Sequence, residues 1–354
     1  MSSKKYVKYI IIVCIAFISY HFAIWTLFTS QIFKLQDRTS VGDLGRMSYQ
    51  INMLDKKQLE YNLPRQHLNS TNFKNQKVDM ITIGDSFSNG EAFGPNPYYQ
   101  DFLASKLNIN ILNLSKYKKY NALETIIGLY NNGYLAQIKP KSIVIESVER
   151  LIPDRYAKDI DFNINDVKAI PTVKVNKIPS VSVDFINTAN YKLPYYTLKY
   201  HFNDHAQKYV YKLNLNKKLF SIKNGDKLLV YCDDISKIPK FTANNIHKIN
   251  DNFNKLAHLL KKLNIKLYFM PAVDKYDLYY DFIAENKYPR NPFFELIKPI
   301  KKDYSFVDTK QILLPLLQDG VKDVYWADDT HWTQKASSAI ANSNTITNSS
   351  LFHK

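Results

Sequence analysis

Cysteine is almost absent from this 354-residue chain: Cys14 lies in an apolar N-terminal stretch and Cys232 far from it. The two are not expected to pair, so no disulfide framework is expected and cysteine usage does not report a compartment. No CxxC pair or His/Cys cluster points to a structural metal, and no cofactor is expected. Helix-turn-helix, zinc-finger and aromatic RNP-like patterns are also missing, which makes nucleic acid an unlikely partner. Acidic residues are short of the basic ones, 32 against 48, for a net charge of +16 and a pI near 9.4. The lysines are scattered, as in KKYVK, KYKKY, NLNKK and IKPIKK, and form no single recognition helix. Such diffuse basicity suits polyanions or anionic membrane surfaces without choosing between them, and compositional bias toward Lys, Asn, Tyr and Ile accounts for much of it. A hydrophobic share of 45% and a charged share of 23% belong to a folded chain. Its length allows one large domain or two modest ones.

The N-terminus carries one long apolar run, Tyr9 to Phe28 (YIIIVCIAFISYHFAIWTLF). It holds about 20 mostly apolar residues, enough to cross a hydrocarbon core of roughly 30 Å as a helix. Lys4, Lys5 and Lys8 precede it, which predicts a cytoplasmic N-terminus. A cleaved signal peptide would have a shorter run and a small-residue site, whereas this one ends in TLFTSQIF. The expectation is an uncleaved single-pass anchor in the cytoplasmic membrane, with everything from about Ser30 onward periplasmic or extracellular. Tyr9, Tyr20 and Trp25 are expected near the interfaces.

The organisation expected is a leader over 1–8, an anchor over 9–28, a juxtamembrane linker over 29–76, a domain over 77–345 and a frayed tail over 346–354. Leu63-Pro64 argues against one continuous helix in the linker. Short apolar runs read as buried strands at Lys77–Gly84, Asn108–Ser115 and Lys141–Ser147. Helix-compatible segments lie between them: Pro97–Leu107, with Asn96 as N-cap, and Ala122–Ile138. The alternation returns with a helix over Thr242–Leu263, whose Ile246, Ile249, Phe253, Leu256 and Leu260 share a face, and with strands at Ile265–Met270 and Tyr304–Asp308. Strands alternating with helices predict an α/β fold with a largely parallel sheet. Residues 151–240, with IPTVKVNKIPSVSVDF, YKLPYYTLKYHF and the turn KNGDK before LLVYC, read as an insertion of short strands and loops.

Two segments carry chemistry. Gly84-Asp85-Ser86-Phe87 directly follows the first predicted strand. A serine at a strand's carboxyl end is exposed where open α/β sheets keep their sites, and amides at the start of a following helix meet an oxyanion. Turns favour Gly, Asp and Ser in any case. The second segment is Tyr325-Trp326-Ala327-Asp328-Asp329-Thr330-His331-Trp332-Thr333. A serine needs a base to take its proton, and that histidine needs an acceptor on its other nitrogen. The bland alternative has Asp328 and Asp329 capping a helix that begins near Trp332, with His331 incidental.

GDSF after the first strand, with a late Asp-Thr-His-Trp, resembles the pattern of SGNH hydrolases. The DTHWT form followed by QKASSAIA looks specifically like the alginate O-acetylation proteins AlgJ and AlgX, and SIVIESVER and IKLYFMPAVDKYDLYY are similar in style to segments of that family. The resemblance covers about Val78–Arg150 and Thr242–Ala341. It implies an SGNH-like, flavodoxin-like sheet with Ser86 as nucleophile and His331 as general base. Asp329 matches the D-T-H-W aspartate, with Asp328, at D-x-x-H spacing, the rival. The oxyanion hole would use the Ser86 amide and a donor near Ser115. The G-x-N-D segment of ordinary SGNH hydrolases is replaced by Glu146–Arg150 (ESVER). Arg150 becomes a substitute donor, or else the ion-pair partner of Glu149.

The activity implied is O-acetyl transfer to a cell-envelope polysaccharide, with a polytopic MBOAT-type acyltransferase as partner. Two other readings share the sequence: an esterase or deacetylase with the same triad, and a non-catalytic glycan-binding assembly factor.

Overall fold

The computed structural model describes residues 3–33, 41–57, 60–69, 71–91, 94–171, 184–207 and 209–347. Nine short strands are present among them: β1 Leu68–Asn69, β2 Met80–Ile83, β3 Ile111–Leu114, β4 Ser142–Val148, β5 His205–Ala206, β6 Val210–Asn214, β7 Lys227–Tyr231, β8 Lys266–Ala272 and β9 Ser305–Phe306. Six form a sheet in the order β1-β3-β2-β4-β8-β9, and every pairing in it is parallel. The remaining three make a small antiparallel sheet, β5-β6-β7. The strands β2, β3 and β4 are buried along their whole length, as expected of parallel strands covered on both faces.

The main helices are α1 Ser3–Ile24, α2 Asp43–Ser48, α3 Tyr99–Leu107, α4 Ala122–Asn131, α5 Ala189–Phe202, α6 Ala243–Lys261, α7 Thr309–Gln318 and α8 Gln334–Ala341. In α6 the predicted face is the buried one, with Ile246, Ile249, Phe253, Leu256 and Leu260 all in the core, and Thr242 caps its first turn. The boundaries of α3 and α4 differ from expectation. Asn96 adopts a left-handed conformation and accepts a hydrogen bond from the Tyr61 amide at 2.8 Å, so it is not a cap and α3 begins at Tyr99. The predicted helix over 122–138 breaks at Gly133, whose φ of 76° lies in the left-handed region, and resumes at Tyr134–Ile138.

The region 151–240 is where the sequence misleads most. The stretch YKLPYYTLKYHF is helical, within α5, and not part of the strands and loops expected there. Most of IPTVKVNKIPSVSVDF lies outside the described residues, as do the end of the tail and part of the linker.

Ser3–Phe33 is one continuous helix of 31 residues, with mean hydropathy 2.2 over its most apolar 18-residue window, long and apolar enough to cross a membrane. Its turns at Trp25–Thr29 are wider than an α-helix.

Winding order sets a switch point in the sheet. From β2 the chain pairs on one side with β3, then crosses to place β4 on the other side. The reversal makes the carboxyl end of β2 a topological switch point, the place where ligands bind in open α/β sheets.

Candidate functional site

Ser86 lies three residues past the end of β2, at that switch point. Ile83, the last residue of β2, is level with Leu114 of β3 and Ile145 of β4. Gly84 therefore lies beside Glu146 and Ser115, one residue further along each neighbour. A Cβ on Gly84 would sit 2.2 Å from Glu146 Oε2 and 2.3 Å from Ser88 Oγ, so only glycine lets the turn tuck against β4. Gly84→Ala is expected to push the serine turn outward at a cost of about 1–3 kcal/mol, read as a lower thermal midpoint. An unchanged midpoint would show that the turn moves freely.

The residues after Ser86 form tight turns and not the helix start expected from sequence. The Ser88 and Asn89 amides bond the Asp85 carbonyl at 3.1 and 3.0 Å, and the Glu91 amide bonds the Ser86 carbonyl at 3.1 Å. The turn is pinned from four sides. Asn113 and Gln100 donate to the Ser88 carbonyl, Ser88 Oγ donates to Glu146, and the Asp85 carboxylate accepts from the Val148 amide at 2.9 Å and from Arg155. Burial disfavours charge on Asp85, but the Arg155 guanidinium outweighs it and holds the carboxyl below its usual range. Burial, reinforced by the Asp85 charge, pushes the Glu146 pKa well above the carboxylate range. Ser86 itself is half-buried, and its Oγ and N–H make no hydrogen bond among the described residues.

The second motif folds over this turn. Tyr325 and Trp332 pair across the loop, and the Trp326 amide bonds the His331 carbonyl at 3.2 Å. Thr333, not either aspartate, caps α8. The loop brings His331 against Phe87, the neighbour of Ser86, with ring centroids 4.7 Å apart, and Trp332 packs on the same ring at 4.6 Å. His331 Nδ1 lies 2.6 Å from Asp329 Oδ1, which also accepts from the His331 amide at 3.0 Å. Nε2 is buried and has no partner among the described residues. With Nδ1 donating to Asp329, Nε2 is the lone-pair nitrogen, the one a base uses. Burial alone would lower the His331 pKa; the Asp329 charge and hydrogen bond outweigh it and hold it above 6.5.

Geometry separates the two aspartates. Asp328 turns away and accepts from the Gly42 amide at 2.9 Å, and burial pushes its pKa up to about 6. Asp329 Oδ2 receives Lys57 Nζ at 2.9 Å. Burial opposes its ionisation, but Lys57 and His331 outweigh this and hold its pKa far below the usual carboxylate range.

Residues 41–57, read from sequence as linker, supply half of this frame. Asp43 accepts from the Thr330 amide at 2.8 Å and from Thr330 Oγ1 at 2.6 Å, and Gly45 donates to the Asp328 carbonyl at 2.8 Å. From the other side the buried Lys275 Nζ donates to the carbonyls of Trp326, Ala327 and Asp329 at 2.7, 3.0 and 3.1 Å. Burial pushes its pKa down to about 8. Sequence reading missed Lys57, Asp43, Arg155 and the role of Lys275. Only Lys275 left a signal, in the Asp-Lys-Tyr after β8.

Ser115 is half-buried just past β3 and adjacent to Gly84 in register, on the Ser86 side of the sheet. Arg150 does not pair with Glu149: it bonds Asp274 at 2.7 Å and Asp234 at 3.1 Å, while Glu149 accepts from the Asp274 amide. Its charge still reaches His331 and Asp85. Asp43, Asp329 and His331 hold ligand-type atoms within 4.8 Å of one another, a spacing that would suit a metal ion. Lys57, Thr330 and the imidazole already occupy their polar atoms.

Comparison of the chain with protein-family models, curated proteins and solved structures found no match in any of the three.

Proposed function

We propose that the chain is a membrane-anchored serine O-acyltransferase of SGNH type, with its domain on the extracytoplasmic side and a cell-envelope polysaccharide as acceptor. One observation carries the reading: a Ser86 hydroxyl with no hydrogen-bond partner among the described residues, next in the chain to the Phe87 ring on which His331 packs, with His331 Nδ1 fixed on Asp329 and its Nε2 without a partner among the described residues. A merely structural histidine in a buried loop would have both nitrogens satisfied.

In this mechanism Ser86 Oγ attacks the acyl carbonyl while His331 Nε2 takes its proton. Asp329 stabilises the imidazolium, and the Ser86 amide, with a donor near Ser115, receives the oxyanion. The leaving group departs with the proton. A sugar hydroxyl then attacks the acyl-enzyme, His331 takes its proton, and the acyl group leaves as a sugar ester as Ser86 is reprotonated. Acetyl, delivered by an MBOAT-type polytopic partner, is the acyl group that the resemblance to alginate O-acetylation proteins favours. The three lysines before the apolar run support the orientation.

The test uses the full chain in detergent with p-nitrophenyl acetate, comparing wild type with Ser86→Ala and His331→Ala. Wild type is expected to release nitrophenol and carry an acetyl adduct on Ser86 by mass spectrometry, and both variants to lose it. Ester appearing on an added oligosaccharide identifies a transferase; release to water alone identifies a hydrolase. An adduct that survives in Ser86→Ala sinks the serine mechanism.

A further inference from the structure

We infer that α5 lies in the membrane–water interface, its exposed apolar face seated among lipid headgroups and upper acyl chains. This rests on the reading of α1 as a membrane span.

The first observation is where apolar surface is left uncovered. Among the described residues outside the N-terminal helix, the large hydrophobic side chains that remain exposed are Ile186, Tyr191, Tyr195, Leu198, Phe202 and Tyr209. All fall in one short stretch of chain. Four of them, Tyr191, Tyr195, Leu198 and Phe202, recur at helical spacing and form one stripe along α5. Away from this stripe Ala189, Asn190, Leu193 and Tyr196 are buried, Asn190 against α1 and Tyr196 on Tyr49. Phe202 is 73% exposed and Leu198 60%, values that a water-facing helix has no reason to keep.

Contact with α1 sets the depth of this face. Tyr20 Oη donates to the Asn190 carbonyl at 2.8 Å, and His21 meets Asn190 Nδ2 at 2.8 Å and Tyr191 Oη at 2.9 Å. Pro194 explains why that carbonyl is available: lacking an N–H, it cannot bond the residue four positions earlier, and Tyr20 takes the place of the missing donor. Within the apolar run Tyr9–Phe28, His21 lies about 10 Å short of the outer end at a rise of about 1.5 Å per residue. That is the burial depth of an interfacial helix, about 5–10 Å below the headgroup boundary. His21 is fully buried and both its ring nitrogens are engaged, as a polar residue at such depth requires.

Charge and shape agree. The helix contains no acidic residue, and Lys192 and Lys199 flank the stripe, placed to extend toward anionic phosphates. Between the two helices and Tyr49–Asn52 lies a cavity of about 950 Å³, with Ile24, Leu27, Phe28 and Leu198 on its apolar wall and Gln50 and Lys212 on its polar one. Lipid chains suit such a space. The arrangement clamps the domain flat on the bilayer instead of letting it swing on a tether.

The full chain, made cysteine-free by Cys14→Ala and Cys232→Ala, tests this in vesicles of phosphatidylcholine and phosphatidylglycerol. Single cysteines replacing Leu198, Phe202, Ile12 or the exposed Lys255 are labelled with an environment-sensitive nitrobenzoxadiazole dye. At 198 and 202 a blue-shifted emission is expected, with most of it lost when doxyl-labelled lipid is included. Position 12 should behave likewise and position 255 should emit as in water. Water-like emission at 198 and 202 with a quenched position 12 overturns the interfacial helix and leaves the anchor standing. Blue-shifted emission that lipid does not quench also overturns it, since the face is then covered by protein. Failure at position 12 itself overturns the anchor and the inference together.

Discussion

Asp329→Asn is expected to lower kcat for acyl transfer by about 10³- to 10⁴-fold, the loss seen when a triad carboxylate becomes an amide. Asparagine can offer its NH₂ to His331 Nδ1, which moves the ring proton to Nε2 and removes the lone pair that must accept the Ser86 proton. Asp328→Asn should keep most of the activity, because its partner is the Gly42 amide and an amide oxygen accepts that bond as well. The pH profile separates the roles further. A general base works neutral, so wild-type kcat/KM should rise with pH through the His331 pKa, which lies above 6.5. Without the Asp329 charge, burial dominates and the acid limb should move to lower pH even as the plateau falls. Equal losses in the two asparagine variants, or an acid limb that does not move, would remove Asp329 from the triad.

Lys57→Met should be the most damaging single change to stability, by about 3–5 kcal/mol, because it strands a buried carboxylate without its cation. The Lys57 and Asp329 side chains are 0% and 2% exposed, so water cannot replace the lost partner. The double variant Lys57→Met/Asp329→Asn should recover much of that loss in urea denaturation while staying inactive. Removing both charges relieves the desolvation cost but restores no base. Additive losses in the double variant would show that the pair is not coupled. Wild-type stability of Lys57→Met would mean that other groups already neutralise Asp329.

The parallel sheet, the face of α6 and the two loops with Ser86 and His331 were legible because each has a local signature: a short apolar run, a helical period, a motif beside a strand. The support of those loops was not. Lys57 meets Asp329 across 272 residues and Asp43 meets Thr330 across 287, and no local pattern marks either. The polar, aperiodic segment around them reads as linker because its stabilising partners are remote. Tyr-rich α5 misleads for a different reason. Its Tyr and Thr residues favour strands and Pro194 disfavours a helix, yet the stripe from Tyr191 to Phe202 has helical spacing. The choice between Asp328 and Asp329 also needed three dimensions, since both spacings reach a histidine and only the Gly42 contact takes Asp328 out of the way.

The long reach of those contacts has a consequence for biogenesis. Asp43 and Lys57 follow the apolar helix and are synthesised early, whereas Thr330 and His331 lie close to the C-terminal end of the described chain. Ribosomes add about 5–20 residues per second, and long-range contacts form only once both partners are available. During synthesis Lys57 waits without Asp329, and the serine turn waits without His331. Under the proposed serine mechanism the chain is therefore inert while it is being made. In that mechanism the Ser86 hydroxyl would gain its proton acceptor only after Thr330 and His331 have been made, so a half-built nucleophile would not lose acyl donor to water.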